Sequence, residues 1–175
     1  ERSRAMAKTA GGVRGPRAGS AAYRKREAEV RGMLASGRYS SVEMSPGGGY
    51  VAVEKSPARH KPEEIEAARI LAGKGYKVVL KNEAGGVKTP DGYLFAATFE
   101  QRTPKGSSAA NLKRSLEHAQ QKRAEVAVLY MKGNGHTRQS VERGIEAFEA
   151  RRGYRFREMI VVTQNGEIHR HKHNE

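Results

Sequence analysis

Apolar and polar positions fall into regular elements from residue 60 onward. His60-Lys61-Pro62-Glu63-Glu64 reads as a helix start, with Pro in the first turn and two acids facing the positive helix end. This helix is predicted to run to about Lys74, where Gly75 closes it. Tyr76 to Leu80 follows as a strand, Asn82 to Thr89 as a turn, and Tyr93 to Gln101 as a further strand. A second helix is predicted from Ser107 to about Arg123. Glu125 to Tyr130 is nearly all apolar after its first residue, the pattern of a strand buried on both faces. The third helix, about Thr137 to Arg151, places Val141, Ile145 and Phe148 on one side at i, i+4 and i+7. Met159 to Thr163 is a second buried strand. Asn165-Gly166 then turns the chain into an edge strand, Ile168 to Arg170.

The earlier part of the chain is less regular. Residues 1–20 read as a flexible basic linker, because they hold too little apolar surface to offset the entropy of ordering them. Ala21 to Ser36 favours helix, Ser45-Pro46-Gly47-Gly48-Gly49 is a loop, and Tyr50 to Val53 is a strand. The expected organisation is a linker to residue 20, a helical and loop extension over 21–47, and one domain from 48 to 175. Its fold class is α/β (α+β), a mixed central sheet flanked by helices, with a right-handed crossover between the two buried strands.

Composition narrows the function. The 175 residues include 33 Lys and Arg against 19 Asp and Glu, a formal net charge of +14. Such a surplus favours a polyanionic partner, nucleic acid first. No cysteine is present, which excludes disulfides, zinc fingers and thiol nucleophiles. No apolar run approaches the roughly 18 residues of a membrane span, so no membrane insertion by this domain is expected. The start at Glu1, with no apolar signal segment, reads as a piece of a longer chain. No P-loop pattern exists, and an aromatic content of 6% without Trp supplies a base-stacking platform poorly.

Three acids stand out. On a helical wheel Glu64 falls amid Ala67, Ala68, Leu71 and Ala72, the apolar side of its helix. An acid there needs a partner or a cation; the simpler reading is that it caps the first turn. Asp91 and, nine residues on, Glu100 suit the two ends of a short β-hairpin. Arg102 lies two residues beyond Glu100, hence on the same strand face. Two carboxylates with a cation beside them can hold a hard divalent ion and a substrate phosphate.

The run from Glu64 through Ala-Ala-Arg-Ile-Leu-Ala-Gly-Lys-Gly-Tyr-Lys-Val-Val to Leu80, then Lys88-Thr89-Pro90-Asp91, then Phe99-Glu100-Gln101-Arg102-Thr103-Pro104, resembles the PD-(D/E)xK nuclease core. The order continues with a helix bearing Asn, Lys and Arg and ending in Gln120-Gln121, then a buried strand. More narrowly it is similar to the C-terminal tRNase domain of contact-dependent growth inhibition toxins of the CdiA type, over residues 48–172. The resemblance implies a metal-dependent, tRNA-cleaving toxin on a larger carrier polypeptide N-terminal to it. It also implies delivery from the producer's surface, action in the target cell's cytoplasm, and neutralisation by a cognate immunity protein. Carried onto this sequence, the helix acid is Glu64, the motif aspartate Asp91 and the second acid Glu100, with Mg²⁺ as the expected ion. The motif lysine falls on Arg102, which grips phosphate but cannot release a proton; Lys113 is the alternative.

The second core helix fits a nucleic-acid face on its own pattern. Leu112, Leu116 and Ala119 share one side, and Asn111, Arg114, His118 and Lys122 the other. Residues 101–123 hold six basic residues and one acid. Lys88, Lys105, Asn111, Lys113, Arg114 and Lys122 are the expected RNA contacts, and His118 is the histidine best placed for acid–base work. His169, His171 and His173 alternate on a terminal strand and read as solvated; His60 reads as structural or solvent-facing. Two other functions compete with the metal-dependent ribonuclease. One is a non-catalytic nucleic-acid-binding module; the other is a metal-independent ribonuclease using His118 with Arg102.

Overall fold

The computed structural model describes residues 9–10, 13–56, 59–82, 89–133, 135–151 and 155–172. In chain order the elements are β1 (Thr9–Ala10), α1 (Ala21–Ala35), β2 (Tyr39–Met44), β3 (Tyr50–Glu54), α2 (Pro62–Gly73), β4 (Lys77–Leu80), β5 (Gly92–Leu94), β6 (Ala97–Arg102), α3 (Ala109–Gln121), β7 (Val126–Met131), α4 (Arg138–Glu149), β8 (Glu158–Thr163) and β9 (Ile168–Lys172). They divide between two units. An N-terminal unit comprises Gly12–Val87 with Asp91–Thr98; a C-terminal unit comprises Phe99–Glu175 with Glu1–Gly11 and Lys88–Pro90. Both are α/β, with mixed sheets flanked by helices. No helix among the described residues is long and apolar enough to cross a membrane.

In the N-terminal unit β2 pairs antiparallel with β3, β3 parallel with β4 across the α2 crossover, and β4 antiparallel with β5. Strand β2 lies within residues 21–47, the stretch expected as a helical and loop extension. Helix α1 has few apolar residues and is held largely by polar ties. Arg26 donates to the carbonyls of Gly48 (2.6 Å) and Gly75 (3.0 Å), and Glu29 accepts from Tyr50 Oη (3.2 Å) and Lys77 Nζ (2.9 Å). Its Val30 packs with Val42, Tyr50 and Ala52 in a small core. The Gly47–Gly49 loop is more than a connector. A Cβ on Gly49 would lie 2.2 Å from the Tyr76 carbonyl and 2.4 Å from that of Ala72, so only glycine lets the loop meet the end of α2.

The stretch expected as one strand, Tyr93 to Gln101, is two strands broken at Phe95 and Ala96. None of the usual turn residues marks the break. Phe95 adopts φ +53°, donates its N–H to the Lys77 carbonyl (2.9 Å) and sets its ring 5.8 Å from that of Tyr76. Tertiary contacts therefore hold a conformation that bulky residues seldom visit.

The C-terminal unit orders its strands β1-β9-β8-β7-β6. β6, β7 and β8 are parallel, joined by α3 and α4, while β8 and β9 form the antiparallel hairpin predicted at Asn165-Gly166. All six residues of β7 are buried. Leu112, Leu116 and Ala119 of α3 and Ile145 and Phe148 of α4 pack with Ala127, Leu129, Met159 and Val161 of the strands. Strand β9, expected at an edge, is paired by β1 at His169 and Arg170. Within the stretch read as linker, Thr9–Ala10 thus join a sheet. In the N-terminal unit Gly15 comes so close to Gly47 and Gly75 that a Cβ would overlap their backbones.

Candidate nucleic-acid interface

Helix α3 starts at Ser108, whose hydroxyl accepts from the Asn111 amide (3.1 Å) and replaces a missing intrahelical bond. Its inward side is Leu112, Ser115, Leu116 and Ala119. With that side fixed, 3.6-residue periodicity turns Arg114 and His118 outward, where both are exposed; Asn111, Lys113 and Lys122 are half-buried and Lys105 exposed. Lys122 Nζ donates to the Thr89 carbonyl (3.4 Å). Lys88 lies outside the described residues.

Strand β6 supplies the neighbouring chemistry. Glu100 pairs with Ala127 and Arg102 with Leu129, so both acid and cation share the face on which α3 and α4 pack. Glu100 is 3% exposed, whereas Arg102 is half-buried and reaches out to α3. There its Nη2 lies 3.1 Å from Nδ1 of His118. A guanidinium can only donate, so Nδ1 accepts and the neutral ring carries its proton on Nε2, turned away from Arg102. Two expected site residues sixteen positions apart are thereby brought together. On the opposite face of β6 Gln101 donates to Thr103 Oγ1 (2.9 Å).

The expected carboxylates fall in different units. Asp91, 3% exposed, immediately precedes β5 in the N-terminal unit, and its carbonyl accepts from the Lys81 amide (2.8 Å). Glu64, in the first turn of α2, is largely buried, and its Oε2 lies 2.9 Å from Nδ1 of His60. The acid on the apolar side of α2 therefore has a hydrogen-bonding partner one turn earlier. His60, expected as structural or solvent-facing, is buried in that pair. Among the described residues no three His, Asp or Glu side chains gather as a group that could hold a metal ion.

The terminal histidines also differ from expectation. His171 is 2% exposed and His169 half-buried, both on the face of β9 that looks toward α4; His173 lies outside the described residues. Neither described residue is part of a solvated tail. Sequence pattern alone passed over His136, at the entry to α4. Burial holds its pKa below the ordinary imidazole value, against a smaller opposing effect from a hydrogen bond with the Gly106 backbone. Its signal in the sequence was only its place before the Thr137 cap.

The fold defines a mixed α/β protein with helices on its sheets. It is similar to a chain of the CdiA-CT/CdiI toxin and immunity complex from Burkholderia pseudomallei, at a TM-score of 0.55 and 20% identity, over 72% of this chain and 100% of that one. At that identity the likeness is one of fold. No protein-family model matches the chain, and no curated protein matches it in sequence.

Proposed function

We propose that this chain is the toxin domain of a contact-dependent growth inhibition system, an endoribonuclease acting on tRNA and neutralised by a cognate immunity protein. Its fold is that of a chain in a toxin and immunity complex, and its charge of +14 suits an RNA substrate. In this reading a larger carrier delivers it from the producer cell and it acts in the cytoplasm of the target.

The observation that carries the catalytic part is the 3.1 Å contact between Arg102 and His118 on the exposed side of a basic helix. The RNA backbone follows Lys105, Arg114 and Lys122. Arg102 turns from Nδ1 to a phosphate oxygen, where its planar fork suits two oxygens at once. The 2′-hydroxyl attacks the adjacent phosphorus while the freed Nδ1 of His118 accepts its proton. The 5′-oxygen leaves with a proton from solvent, and the products are a 2′,3′-cyclic phosphate and a 5′-hydroxyl. In the magnesium-dependent alternative Glu64, Asp91 and Glu100 would hold the ion.

Purified protein incubated with total tRNA, with and without EDTA, separates these readings. Cleavage that survives EDTA and leaves cyclic phosphate ends supports His118. His118→Ala is then expected to lose about 10²–10⁴ in rate, and Arg102→Lys less than Arg102→Ala. Cleavage abolished by EDTA and by Asp91→Ala or Glu100→Ala, in variants that melt as the parent does, returns the reading to the metal-dependent nuclease. Binding of tRNA without any cleavage, at saturating Mg²⁺, leaves a nucleic-acid-binding module.

A further inference from the structure

A cavity of about 200 Å³ opens within the C-terminal unit, at the carboxyl ends of the parallel strands β7 and β8 and beneath the start of α4. Crevices at that end of parallel strands are where ligands of α/β folds sit. Its apolar lining is Met131, Val141 and Val161. Around this lie groups that hydrogen-bond, among them Thr163, His136, His169 and the buried His171. At the mouth stands Arg138, 70% exposed at its side chain, with Nε 3.1 Å from Glu142 Oε1. The positive end of the α4 dipole adds to its charge.

We infer that this cavity binds one nucleotide of single-stranded RNA, with the unstacked base against Met131, Val141 and Val161 and its phosphate on Arg138. The inference takes its source of nucleotide from the ribonuclease reading above. Three observations favour this occupant. The cavity is smaller than the roughly 300–1,000 Å³ of sites for drug-sized ligands, and so suits a single heterocycle. Although three histidines line it, no metal-holding group of three His, Asp or Glu exists among the described residues, and the apolar floor is wrong for a bare ion. Lastly, its rim continues into the basic surface. The hydrogen bond between His136 and the Gly106 backbone ties the entry of α4 to the loop that carries Lys105 into α3. A Cβ on Gly135 would touch Ser107 at 3.7 Å. A strand of RNA following the α3 cations thus passes the cavity mouth, and single-stranded RNA is read by splaying bases into such pockets. Burial lowers the pKa of His136, and its Nδ1 lies 3.1 Å from Ser140 Oγ, which holds the ring at the cavity wall.

Titration of the whole chain with the four 5′-mononucleotides, their nucleosides and inorganic phosphate, followed by calorimetry and histidine NMR, tests this. At least one mononucleotide is expected to bind and to shift the His169 and His171 ring signals, while phosphate alone binds at least about tenfold more weakly. Arg138→Gln, a surface change, should weaken the mononucleotide about tenfold, as loss of a charged hydrogen bond does, and leave its nucleoside unchanged. Val141→Phe should fill the cavity and abolish binding of both. If that variant melts early, the ring-signal shifts and Arg138→Gln decide alone. Phosphate binding as tightly as the mononucleotide, or no mononucleotide moving those signals, overturns the inference. Cleavage of tRNA by a chain that binds no mononucleotide overturns the pocket and keeps the ribonuclease. Mononucleotide binding in a chain that cuts no RNA keeps the pocket and overturns the ribonuclease.

Discussion

His136 couples burial to protonation. Its folded pKa lies below the unfolded value of about 6.5, because burial penalises the imidazolium. The unfolded chain therefore binds the extra proton first as pH falls. Stability linked to this residue is complete above about pH 6.5 and is lost as pH drops toward and through the lower folded value. Thermal melts from pH 7.5 down to pH 5 should fall more steeply for the parent than for His136→Gln; equal slopes would show that the ring is solvated. Tyr50 shows the opposite sense. Burial first, and then the Glu29 carboxylate, raise its phenol above the ordinary range of about 10. The stability it contributes is present below about pH 10 and declines as the pH rises through the folded pKa. Tyr50→Phe should cost about 1 kcal/mol in denaturant unfolding at neutral pH, since Glu29 keeps Lys77 but loses one donor.

Between elements, two helical glycines separate local propensity from packing. Gly32 in α1 is exposed, and a Cβ there would meet nothing within 4 Å. Gly32→Ala should raise stability by up to about 1 kcal/mol, the difference in helix propensity. Gly144 in α4 faces α3, where a Cβ would lie 2.6 Å from Leu112 Cδ2 and 3.0 Å from the Ala109 carbonyl. Gly144→Ala should lower stability by about 1–3 kcal/mol through overpacking. One substitution, two signs: melting temperatures of the pair read the difference directly. The α3–α4 contact is also what holds the basic face of α3 outward, so Gly144→Ala should weaken RNA binding only insofar as it unfolds the unit.

At the scale of the whole molecule the surplus charge sets the expected salt response. If Arg114 and Lys122 contact phosphates, their joint change to Ala should reduce the slope of log binding constant against log salt by about 0.7–0.9 per lost contact, whatever the RNA sequence. Binding measured from low to moderate salt checks this, and an unchanged slope moves the RNA to another face. Lys122 also bonds the Thr89 carbonyl, so Arg114→Ala alone is the cleaner of the two changes.

Much of the fold was legible in the chain because it depends on local periodicity. The apolar run Val126–Tyr130, the Val141, Ile145 and Phe148 stripe and the Asn165-Gly166 turn each name their element without reference to anything distant, and the structure places all three so. Period two likewise put Glu100 and Arg102 on one strand face, and period 3.6 put His118 opposite Leu112 and Leu116. What periodicity lacks is distance. The break at Phe95 depends on Lys77 and Tyr76, the Gly49 contact on Ala72 and Tyr76, and the strand at Thr9–Ala10 on β9. Neither the break nor the strand leaves a mark in its own segment, and the glycine at 49 does not name the carbonyls that it meets. The same holds for the chemistry. Wheel geometry showed Glu64 on the apolar side of α2, but only side-chain packing decided that His60 meets it. Composition pointed to a polyanion, whereas the contact of Arg102 with His118 and the cavity under α4 arise from residues that only the folded chain brings together.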